Sequence, residues 1–548
     1  MEFTVILGGQ AGQGVLKASH ILCKALVKTG LYAFNYRYYQ SRIKGGHNYN
    51  AIKVADKPIY CHEDEDIDYI LALDQATVDI HGKKLKESGY IICDKSVVAD
   101  KKIELDVNDI LSKASAPKVC ENTVLIAALW KILGFPKDIL KEIVQKELDE
   151  VNSRIVDIVF DSVSIPIEHI AEIKENKEKR YYLTGSEGVA YGAIAAGLDL
   201  YIAYPMTPST PVLHILAKIK DKNDIAVYQP DNEIGVINMA IGASYTGAKV
   251  MIGTSGGGFA LMNEAFSLSG MSEVPIVVYI AQRYDPATGM ATFTLQGDLK
   301  FALNAGHGEF PRIVVAPGDP AECFRRTIEA FYLSYKYRVP AIILSDTFLA
   351  ESAATFSDIK YPEIKPARFI DLSAGEAKYY DLSGDIVNLR NIPGVASSVK
   401  ANSYEHDEYG YTTEDQLMGK KMHERRWRKL KFIQEEVDNL EPCEVYGSGK
   451  YLLVGWGSTK LPVLEALKQL KEWSYLHISY ISPFSEMIGA ILEKYEKVVL
   501  VENNATGLLG QVIREKTGIS IENKILRYDG LPLTGGYIVK ALKRLNIE

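Results

Sequence analysis

The chain has few cysteines, and they are scattered. Its 548 residues contain six, and no two have the two-residue spacing that lets one loop supply two thiolates. This spacing argues against a resident zinc or iron–sulfur site, and we predict no metal ligands in this chain. So few cysteines also make a poor disulfide framework, which favours a reducing compartment, and we expect a cytoplasmic protein.

Long apolar runs are also missing. The apolar stretch at 274–281 is far shorter than the roughly 20 residues that a membrane span requires. No positive segment precedes an apolar core at the N-terminus, so we predict neither a signal peptide nor a membrane protein. The chain has 62 Lys and Arg against 70 Asp and Glu, a formal charge of −8, which gives no broad electrostatic reason to bind nucleic acid.

Length and composition predict several folded domains. Hydrophobic residues make up 47% of the chain and charged residues 24%, as in ordinary globular proteins. At roughly 100–200 residues per domain, the length predicts about three or four domains. Short apolar runs alternate with helical stretches, which is typical of α/β domains with parallel sheets covered by helices. We predict boundaries that give the segments 1–175, 181–370, 371–445 and 446–548.

A glycine turn follows the first predicted strand, residues 4–7. Gly9, Gly12 and Gly14 are arranged as Gly-x-x-Gly-x-Gly before a predicted helix, and bare N–H groups at such a turn suit a phosphate. The dinucleotide fingerprint has the reverse order and an acid after the next strand. That acid is missing after residues 32–36, so an NAD-dependent dehydrogenase is disfavoured. The alternative is a turn that serves only packing.

Two charged segments have competing interpretations. The loop 39–47 collects Arg42, Lys44 and His47 around two glycines, and it either clamps an anion or is a solvated surface loop. The helix predicted at 420–431 has seven Lys or Arg in twelve residues. We interpret these cations as its solvated face, with docking of a partner as the alternative.

Polar residues follow two strands of the second segment. Thr207 lies between two prolines after the predicted strand 198–203, so the backbone on both sides has little freedom and can hold the hydroxyl in place. Glu233 precedes the predicted helix 234–245, where a carboxylate most often serves only as a cap. Ligands of parallel α/β sheets bind beyond the carboxyl ends of the strands, which makes both residues candidates for a site.

Two further strand ends carry candidate residues. A second glycine turn, with Gly257 and Gly258, follows the predicted strand 250–253 and lets the backbone approach a ligand. Arg283 follows the predicted strand 276–281, and its guanidinium can bind a carboxylate with two hydrogen bonds. The alternative for Arg283 is an ordinary salt bridge.

In this order the motifs closely resemble those of the 2-oxoacid:ferredoxin oxidoreductases. Tyr-Pro-Met-Thr-Pro-Ser-Thr, Asp-Asn-Glu, Thr-Ser-Gly-Gly-Gly and Gln-Arg resemble the thiamine-diphosphate pyrimidine-binding domain of that family. Gly-Gly-Gln-Ala-Gly-Gln-Gly and Ser-Arg-Ile-Lys-Gly-Gly-His-Asn resemble its gamma domain. Glu-His-Asp-Glu-Tyr-Gly and Val-Glu-Asn-Asn-Ala-Thr-Gly resemble the C-terminal, transketolase-C-terminal-like part of the alpha subunit. The resemblance spans nearly the whole chain and implies a fused gamma–alpha subunit.

The resemblance implies a reaction and roles for residues. The family converts a 2-oxoacid and coenzyme A to acyl-CoA and CO₂ and reduces ferredoxin. By resemblance, Glu233 would bind the pyrimidine ring nitrogen of thiamine diphosphate, and Thr207 and Arg283 would bind the substrate's carboxylate or carbonyl. Lys44 would reach the substrate's distal group or coenzyme A. The cofactor-binding glycines would be Gly9, Gly12, Gly14, Gly257 and Gly258.

The resemblance also implies a partner. The Gly-Asp-Gly motif that holds the Mg²⁺ of such enzymes is missing, as are iron–sulfur thiolates, and in this family both belong to the beta subunit. We therefore expect half of an active site, completed by a beta subunit in a heterodimer or an (alpha–beta)₂ assembly. The motifs favour 2-oxoglutarate or a broad range of 2-oxoacids. The alternatives are a non-catalytic docking subunit and a transketolase-like or lipoamide-linked thiamine enzyme.

Overall fold

The computed structural model divides into two compact units. The first comprises residues 1–183, 351–359 and 534–537, and the second comprises 184–350, 360–533 and 538 onwards. Within the described part, no helix has the length and apolar character needed to cross a membrane. The described residues are 1–40, 46–164, 179–373, 378–383, 387, 389–395 and 398–545.

The first unit is an α/β domain built on one sheet. Its strands lie in the order β6-β5-β4-β1-β3-β2-β14-β7. The strands are β1 (Glu2–Gln10), β2 (Tyr32–Tyr38), β3 (His47–Ala55), β4 (Ile67–Ala72), β5 (Leu85–Asp94), β6 (Lys102–Leu105), β7 (Tyr181–Thr184) and β14 (Ala353–Phe356). The helices are α1 (Val15–Lys28), α2 (Gln75–His81), α3 (Val107–Ala114), α4 (Glu121–Ile132), α5 (Lys137–Glu147) and α6 (Glu150–Ser162).

This sheet is mixed, so the prediction of a parallel sheet is wrong for the first unit. Strands β4, β5 and β6 run parallel to β1, but β3 pairs antiparallel with both β1 and β2. Only the short segment 39–46 joins β2 to β3. Such a connection suits an antiparallel pair, because a parallel pair needs a crossover of about a dozen residues or more.

The core of the first unit lies between the sheet and helices α1 and α4. Leu22 and Leu26 of α1 and Leu125 and Leu129 of α4 are fully buried in it. Each pair is four residues apart, which places both side chains on the same helix face. The helices therefore cover the sheet through ordinary apolar stripes.

The second unit contains two larger sheets and a short strand pair. Its first strands and helices are α7 (Gly185–Ala195), β8 (Leu200–Ile202), α8 (Thr210–Asn223), β9 (Ala226–Tyr228), α9 (Glu233–Tyr245), β10 (Val250–Thr254), α10 (Gly256–Leu261), α11 (Asn263–Ser272), β11 (Val277–Gln282), α12 (Leu299–Asn304), β12 (Ile313–Val315), α13 (Pro320–Tyr337), β13 (Ala341–Asp346) and α14 (Thr347–Glu351). The remaining ones are β15 (Ile370–Asp371), β16 (Arg390–Asn391), α15 (Gln416–Asn439), β17 (Cys443–Tyr446), β18 (Tyr451–Trp456), α16 (Lys460–Leu467), β19 (Trp473–Ile478), β20 (Tyr480–Ser482), α17 (Met487–Leu492), β21 (Lys497–Glu502), α18 (Leu508–Thr517), β22 (Asn523–Leu526) and α19 (Gly535–Arg544).

The larger of these sheets has the order β20-β12-β13-β11-β10-β8-β9, and the smaller has the order β17-β19-β18-β21-β22. In the larger sheet all pairs are parallel except the edge pair β12–β20, which confirms the parallel sheet predicted for this segment. Strands β11 and β13 are buried along their whole length. Helices cover both faces of such a strand, which explains its nearly continuous apolar sequence.

Helix α15 corrects the interpretation of the basic segment. Three of its cations, Arg425, Arg426 and Lys429, are buried instead of solvated. Arg425 Nη1 donates to both carboxylate oxygens of Glu273, at 2.6 and 2.7 Å, and Lys429 donates to the same carboxylate. Arg426 bonds to Glu405. Burial would raise the pKa of Glu273, but the two cations outweigh it and hold that pKa well below its ordinary value.

We expect Glu273→Gln to lower the free energy of unfolding by about 3–5 kcal/mol, because it leaves two buried cations without their counter-charge. Urea denaturation of the chain, followed by circular dichroism, measures this. The matched control is Glu435→Gln on α15, where the side chain is exposed and the expected change is within about 0.5 kcal/mol. Equal effects of the two substitutions would contradict the role of the buried cluster.

Candidate active site

Four strand ends of the larger parallel sheet carry the predicted residues. Thr207 follows β8, Glu233 begins the helix after β9, Gly258 lies in the first turn of α10, which follows β10, and Arg283 follows β11. The glycine turn predicted after β10 is thus helical at Gly257 and Gly258. These strands are consecutive in the sheet order β11-β10-β8-β9. Because the strands are parallel, their carboxyl ends share one edge of the sheet, and the four residues belong to one region.

Glu233 is not the cap of its helix. The cap is Asn232, whose side-chain oxygen accepts a hydrogen bond of 2.8 Å from the backbone N–H of Gly235. Glu233 is only 3% exposed, and its Oε1 is buried with no hydrogen-bond partner in the described part of the chain. A buried polar atom without a partner costs free energy, and such atoms occur where a ligand group binds. A ring nitrogen of a ligand that forms a hydrogen bond with this Oε1 would supply the partner.

Gly258 lets the chain pack directly against this carboxylate. A Cβ atom at Gly258 would lie 2.7 Å from Oε1 of Glu233 and 2.2 Å from Oγ1 of Thr254, both too close for any side chain. At Gly257 the nearest atom would be 3.9 Å away. The two glycines therefore differ: Gly258 is required by the position of Glu233, and Gly257 borders open space.

Arg283 and Thr207 lie next to each other. Nη1 of Arg283 donates a 3.1 Å hydrogen bond to the backbone oxygen of Thr207. The alternative of an ordinary salt bridge is not seen, since no carboxylate of the described residues lies within 4.0 Å of this guanidinium. Burial lowers the pKa of Arg283, but a guanidinium stays protonated at any physiological pH. Its remaining N–H groups can bind the carboxylate of a ligand.

Sequence reasoning missed the segment that packs beside these residues. Gln296 is held by the C-terminal sheet: its Oε1 accepts from the backbone N–H of Asn503 at 2.9 Å, and its backbone oxygen accepts from Nδ2 of Asn504 at 3.2 Å. The motif at 501–507 thus fixes the segment that leads to Asp298. The motif is visible in the sequence, but its partner 207 residues away is not.

The three glycines predicted to form a turn in the first unit have different backbone settings. Strand β1 continues past residues 4–7 to Gln10, so Gly9 lies within the strand. Gly14 is the cap residue of α1, and no side chain caps that helix among the described residues. Gly12 has a φ of 101°, and a Cβ atom there would have no neighbour within 4 Å. The open backbone near Gly12 suits an approaching anion, whereas Gly9 packs against Gln13.

His47 is the member of the predicted anion clamp that the structure describes, because Arg42 and Lys44 lie outside the described residues. Its Nε2 is 2.9 Å from Nε2 of His81. Burial lowers the pKa of His47, and burial together with His47 lowers that of His81 to about 3. Both rings are therefore neutral at physiological pH, so His47 adds no positive charge to the clamp.

Two family models match the chain. The thiamine diphosphate-binding domain of pyruvate flavodoxin/ferredoxin oxidoreductase matches residues 191–425, which include the site around Glu233. The domain called pyruvate ferredoxin/flavodoxin oxidoreductase matches residues 4–159, which include the glycine turn.

Named relatives and a solved structure match the chain over all or part of its length. The 2-oxoacid:ferredoxin oxidoreductase subunit alpha of Saccharolobus solfataricus is 31% identical, over 99% of this chain and 98% of the relative. The 2-oxoglutarate oxidoreductase subunit KorA of Mycobacterium tuberculosis is 32% identical, over 62% of this chain and 54% of its own. A solved structure of 2-oxoglutarate:ferredoxin oxidoreductase from Magnetococcus marinus, with 2-oxoglutarate, coenzyme A and succinyl-CoA bound, covers 99% of both chains at 26% identity and a TM-score of 0.87.

The fold and the site thus define a thiamine diphosphate-binding oxidoreductase domain that is joined to a second oxidoreductase domain. The chain belongs to the 2-oxoacid:ferredoxin oxidoreductase family and corresponds over almost its whole length to the family's alpha subunits. The predicted family and the predicted α/β multidomain fold are confirmed.

We expect Gly258→Ala to lower the free energy of unfolding by about 1–3 kcal/mol, because a methyl group would push on the Glu233 carboxylate and on Thr254. Gly257→Ala is the matched control in the same helix, and it should raise stability by about 0.5–1 kcal/mol, because it only replaces a helical glycine. Urea denaturation of both variants tests the difference. A stable Gly258→Ala chain would contradict the close packing on Glu233.

Proposed function

We propose that this chain is the alpha subunit of a CoA-dependent 2-oxoacid:ferredoxin oxidoreductase. The enzyme would convert a 2-oxoacid and coenzyme A to acyl-CoA and CO₂ and transfer two electrons to ferredoxin. The observation that carries this proposal is the buried Oε1 of Glu233, which packs against Gly258 at the end of a parallel sheet and has no hydrogen-bond partner within the part of the chain that the structure describes. Family membership supports the same reaction.

Glu233 and residues 254–258, which span the end of β10 and the first turn of α10, fit the aminopyrimidine ring of thiamine diphosphate. When bound, this cofactor supplies a nucleophilic carbon and an electron sink for decarboxylation. Glu233 would hold a proton between its Oε1 and the ring nitrogen. A carboxylate that is shielded from water is suited to this proton transfer. In this proposal Gly257 borders the cofactor and Gly258 keeps the carboxylate in place.

Arg283 and Thr207 would bind the substrate's carboxylate and carbonyl. The guanidinium already holds the Thr207 backbone and has donors left for the carboxylate until it leaves as CO₂. Lys44 would reach the distal group of the substrate or coenzyme A, and 2-oxoglutarate or a broad range of 2-oxoacids is the proposed substrate. The turn with Gly9, Gly12 and Gly14 would serve the phosphates of coenzyme A.

A beta subunit would complete the active site. Apolar side chains are exposed on β9, α9 and α10, the elements that precede, carry and pack against Glu233, namely Tyr228, Ile234, Met239 and Leu261. An apolar surface next to an incomplete site is typical of a protein interface. The beta subunit would bring Mg²⁺ and a 4Fe–4S cluster, in a heterodimer or an (alpha–beta)₂ assembly that reduces ferredoxin. No disulfide joins the six cysteines, all of which lie in the described ranges, and this supports a reducing, cytoplasmic location.

We assign a role to each of the four predicted segments. Residues 1–175 would form the gamma domain, which binds coenzyme A, and 181–370 would form the pyrimidine-binding domain. The segment 371–445 would connect it to the transketolase-C-terminal-like domain at 446–548. Most strands of each larger sheet come from one of the first, second and fourth segments, which supports this division, although β7 and β14 of the second segment join the first sheet and β20 of the fourth joins the larger parallel sheet.

We expect Glu233→Gln to lower the turnover number of the assembled alpha–beta enzyme by about 10²–10⁴-fold, because the amide cannot exchange the proton. CoA-dependent reduction of a viologen dye by 2-oxoglutarate measures this, and size-exclusion chromatography checks that the assembly survives. Turnover within about tenfold of wild type would refute the role of Glu233 and favour the alternative of a docking subunit.

We expect Arg283→Ala to raise the KM for 2-oxoglutarate by about 10–100-fold in the same assay, because charged hydrogen bonds to the carboxylate are lost. Arg428→Ala, which removes an exposed arginine of α15, is the control and should leave the KM unchanged. If the two variants behave alike, Arg283 does not bind the substrate's carboxylate.

A further inference from the structure

A cavity of about 460 Å³ in the second unit has no role in the proposed reaction. Its walls come from helices α12, α15 and α18, from the segment 308–312 and from residues 481–484 at the end of β20. Arg312 directly precedes β12, and both β12 and β11 run parallel to β13. Parallel strands begin at one edge of a sheet and end at the other. Arg312 therefore lies at the edge opposite to Arg283, which follows β11.

Arg312 lines this cavity as a nearly buried cation. The residue is 8% exposed, its Nη1 donates to the backbone oxygen of Ala305, and its Cζ lies 4.2 Å from the centre of the Phe310 ring. Its Nε and Nη2 have no hydrogen-bond partner among the described residues, and neither atom is sealed from solvent. These two nitrogens therefore keep N–H groups for a molecule in the cavity.

The charge of Arg312 is not balanced by the acids of the cavity. Both carboxylates in the lining have other partners: Glu309 lies 3.9 Å from Nε2 of His423, and Glu515 is 3.2 Å from Nζ of Lys516. Burial lowers the pKa of Arg312 to about 10, so the guanidinium is still charged at neutral pH. A buried charge without a counter-charge costs free energy, and an anion in the cavity would recover part of this cost.

The other walls of the cavity suit an apolar ring. The apolar lining includes Phe310, Trp427, Leu430, Pro483, Phe484 and Val512. Lys300 on α12 adds a second cation, which forms no ion pair within the described ranges. Small-molecule sites of roughly 300–1,000 Å³ combine mostly apolar walls with a few polar groups that orient the ligand. This cavity has that size and that combination of side chains.

We propose that this cavity binds an organic anion, with a carboxylate or phosphate on Arg312 and a ring-sized apolar body against Trp427 and Phe484. Nε and Nη2 of a guanidinium point their N–H groups the same way, which matches two oxygens of either anionic group. Lys300 is the second positive group of the site. The inference does not use the roles proposed for Glu233 and Arg283.

Two matched pairs of probes test the proposal on the purified full-length chain: phenylacetate with its neutral amide, and AMP with adenosine. Trp427 is half-buried in the lining, whereas Trp130, Trp456 and Trp473 are buried, so quenching that is absent in Trp427→Phe reports on this cavity. We expect saturable quenching with a Kd below about 1 mM for at least one anion, and binding at least about tenfold weaker for its neutral partner. Binding of phenylacetate assigns a carboxylate ligand, and binding of AMP a phosphate ligand. Neutral partners that bind as well as the anions would overturn the proposal.

Arg312→Gln should weaken binding of the anion by about 10–100-fold, because hydrogen bonds from a charged donor are lost. Circular dichroism checks that this variant folds, and Lys300→Gln, with an expected weakening of about 2–10-fold, takes its place if it does not. The control is Lys431→Gln, an exposed cation of α15 outside the lining, which should bind like wild type. Arg283→Ala should also bind like wild type, which separates this site from the proposed substrate site. Absence of saturable quenching by both anions, or equal binding by wild type, Arg312→Gln and Lys300→Gln, would overturn the proposal.

Discussion

The candidate site depends on one buried carboxylate, that of Glu233, whose Oε1 has no hydrogen-bond partner among the described residues. Burying an ionisable oxygen without a hydrogen bond costs free energy, and Oε1 of Glu233 is such an oxygen among the described residues. The helix does not need this carboxylate as its cap, because the neighbouring Asn232 caps it. Because residue 258 is a glycine, it places no side chain in the space beside the carboxylate. The arrangement is understandable only if another molecule completes the hydrogen bond.

The parallel sheet explains how residues far apart in the chain reach this carboxylate. Strands β8, β9, β10 and β11 are neighbours, so each loop at their carboxyl ends adds one group to the same edge. The C-terminal sheet contributes indirectly: Asn503 and Asn504 hold Gln296 and thereby the segment that carries Asp298.

Much of the fold was predictable because short apolar strands and glycine turns leave local signals. Errors arose where the deciding contact was distant in sequence. The cations of α15 form the pattern of a solvated face, yet Arg425 and Lys429 are buried because Glu273, more than 150 residues earlier, neutralises them. The first sheet was predicted to be parallel because its apolar runs do not reveal strand direction, which the short β2–β3 connection decides.

The sequence alone determined the α/β class, the family, and the identity of Glu233, Thr207 and Arg283 as candidates, since these rest on local motifs. Only the tertiary structure decided that Oε1 of Glu233 has no hydrogen-bond partner in the described part of the chain and that Arg283 lies on Thr207. The physical reason is that burial and charge coupling depend on distances between atoms. Residues separated along the chain acquire those distances only when the sheets and loops come together.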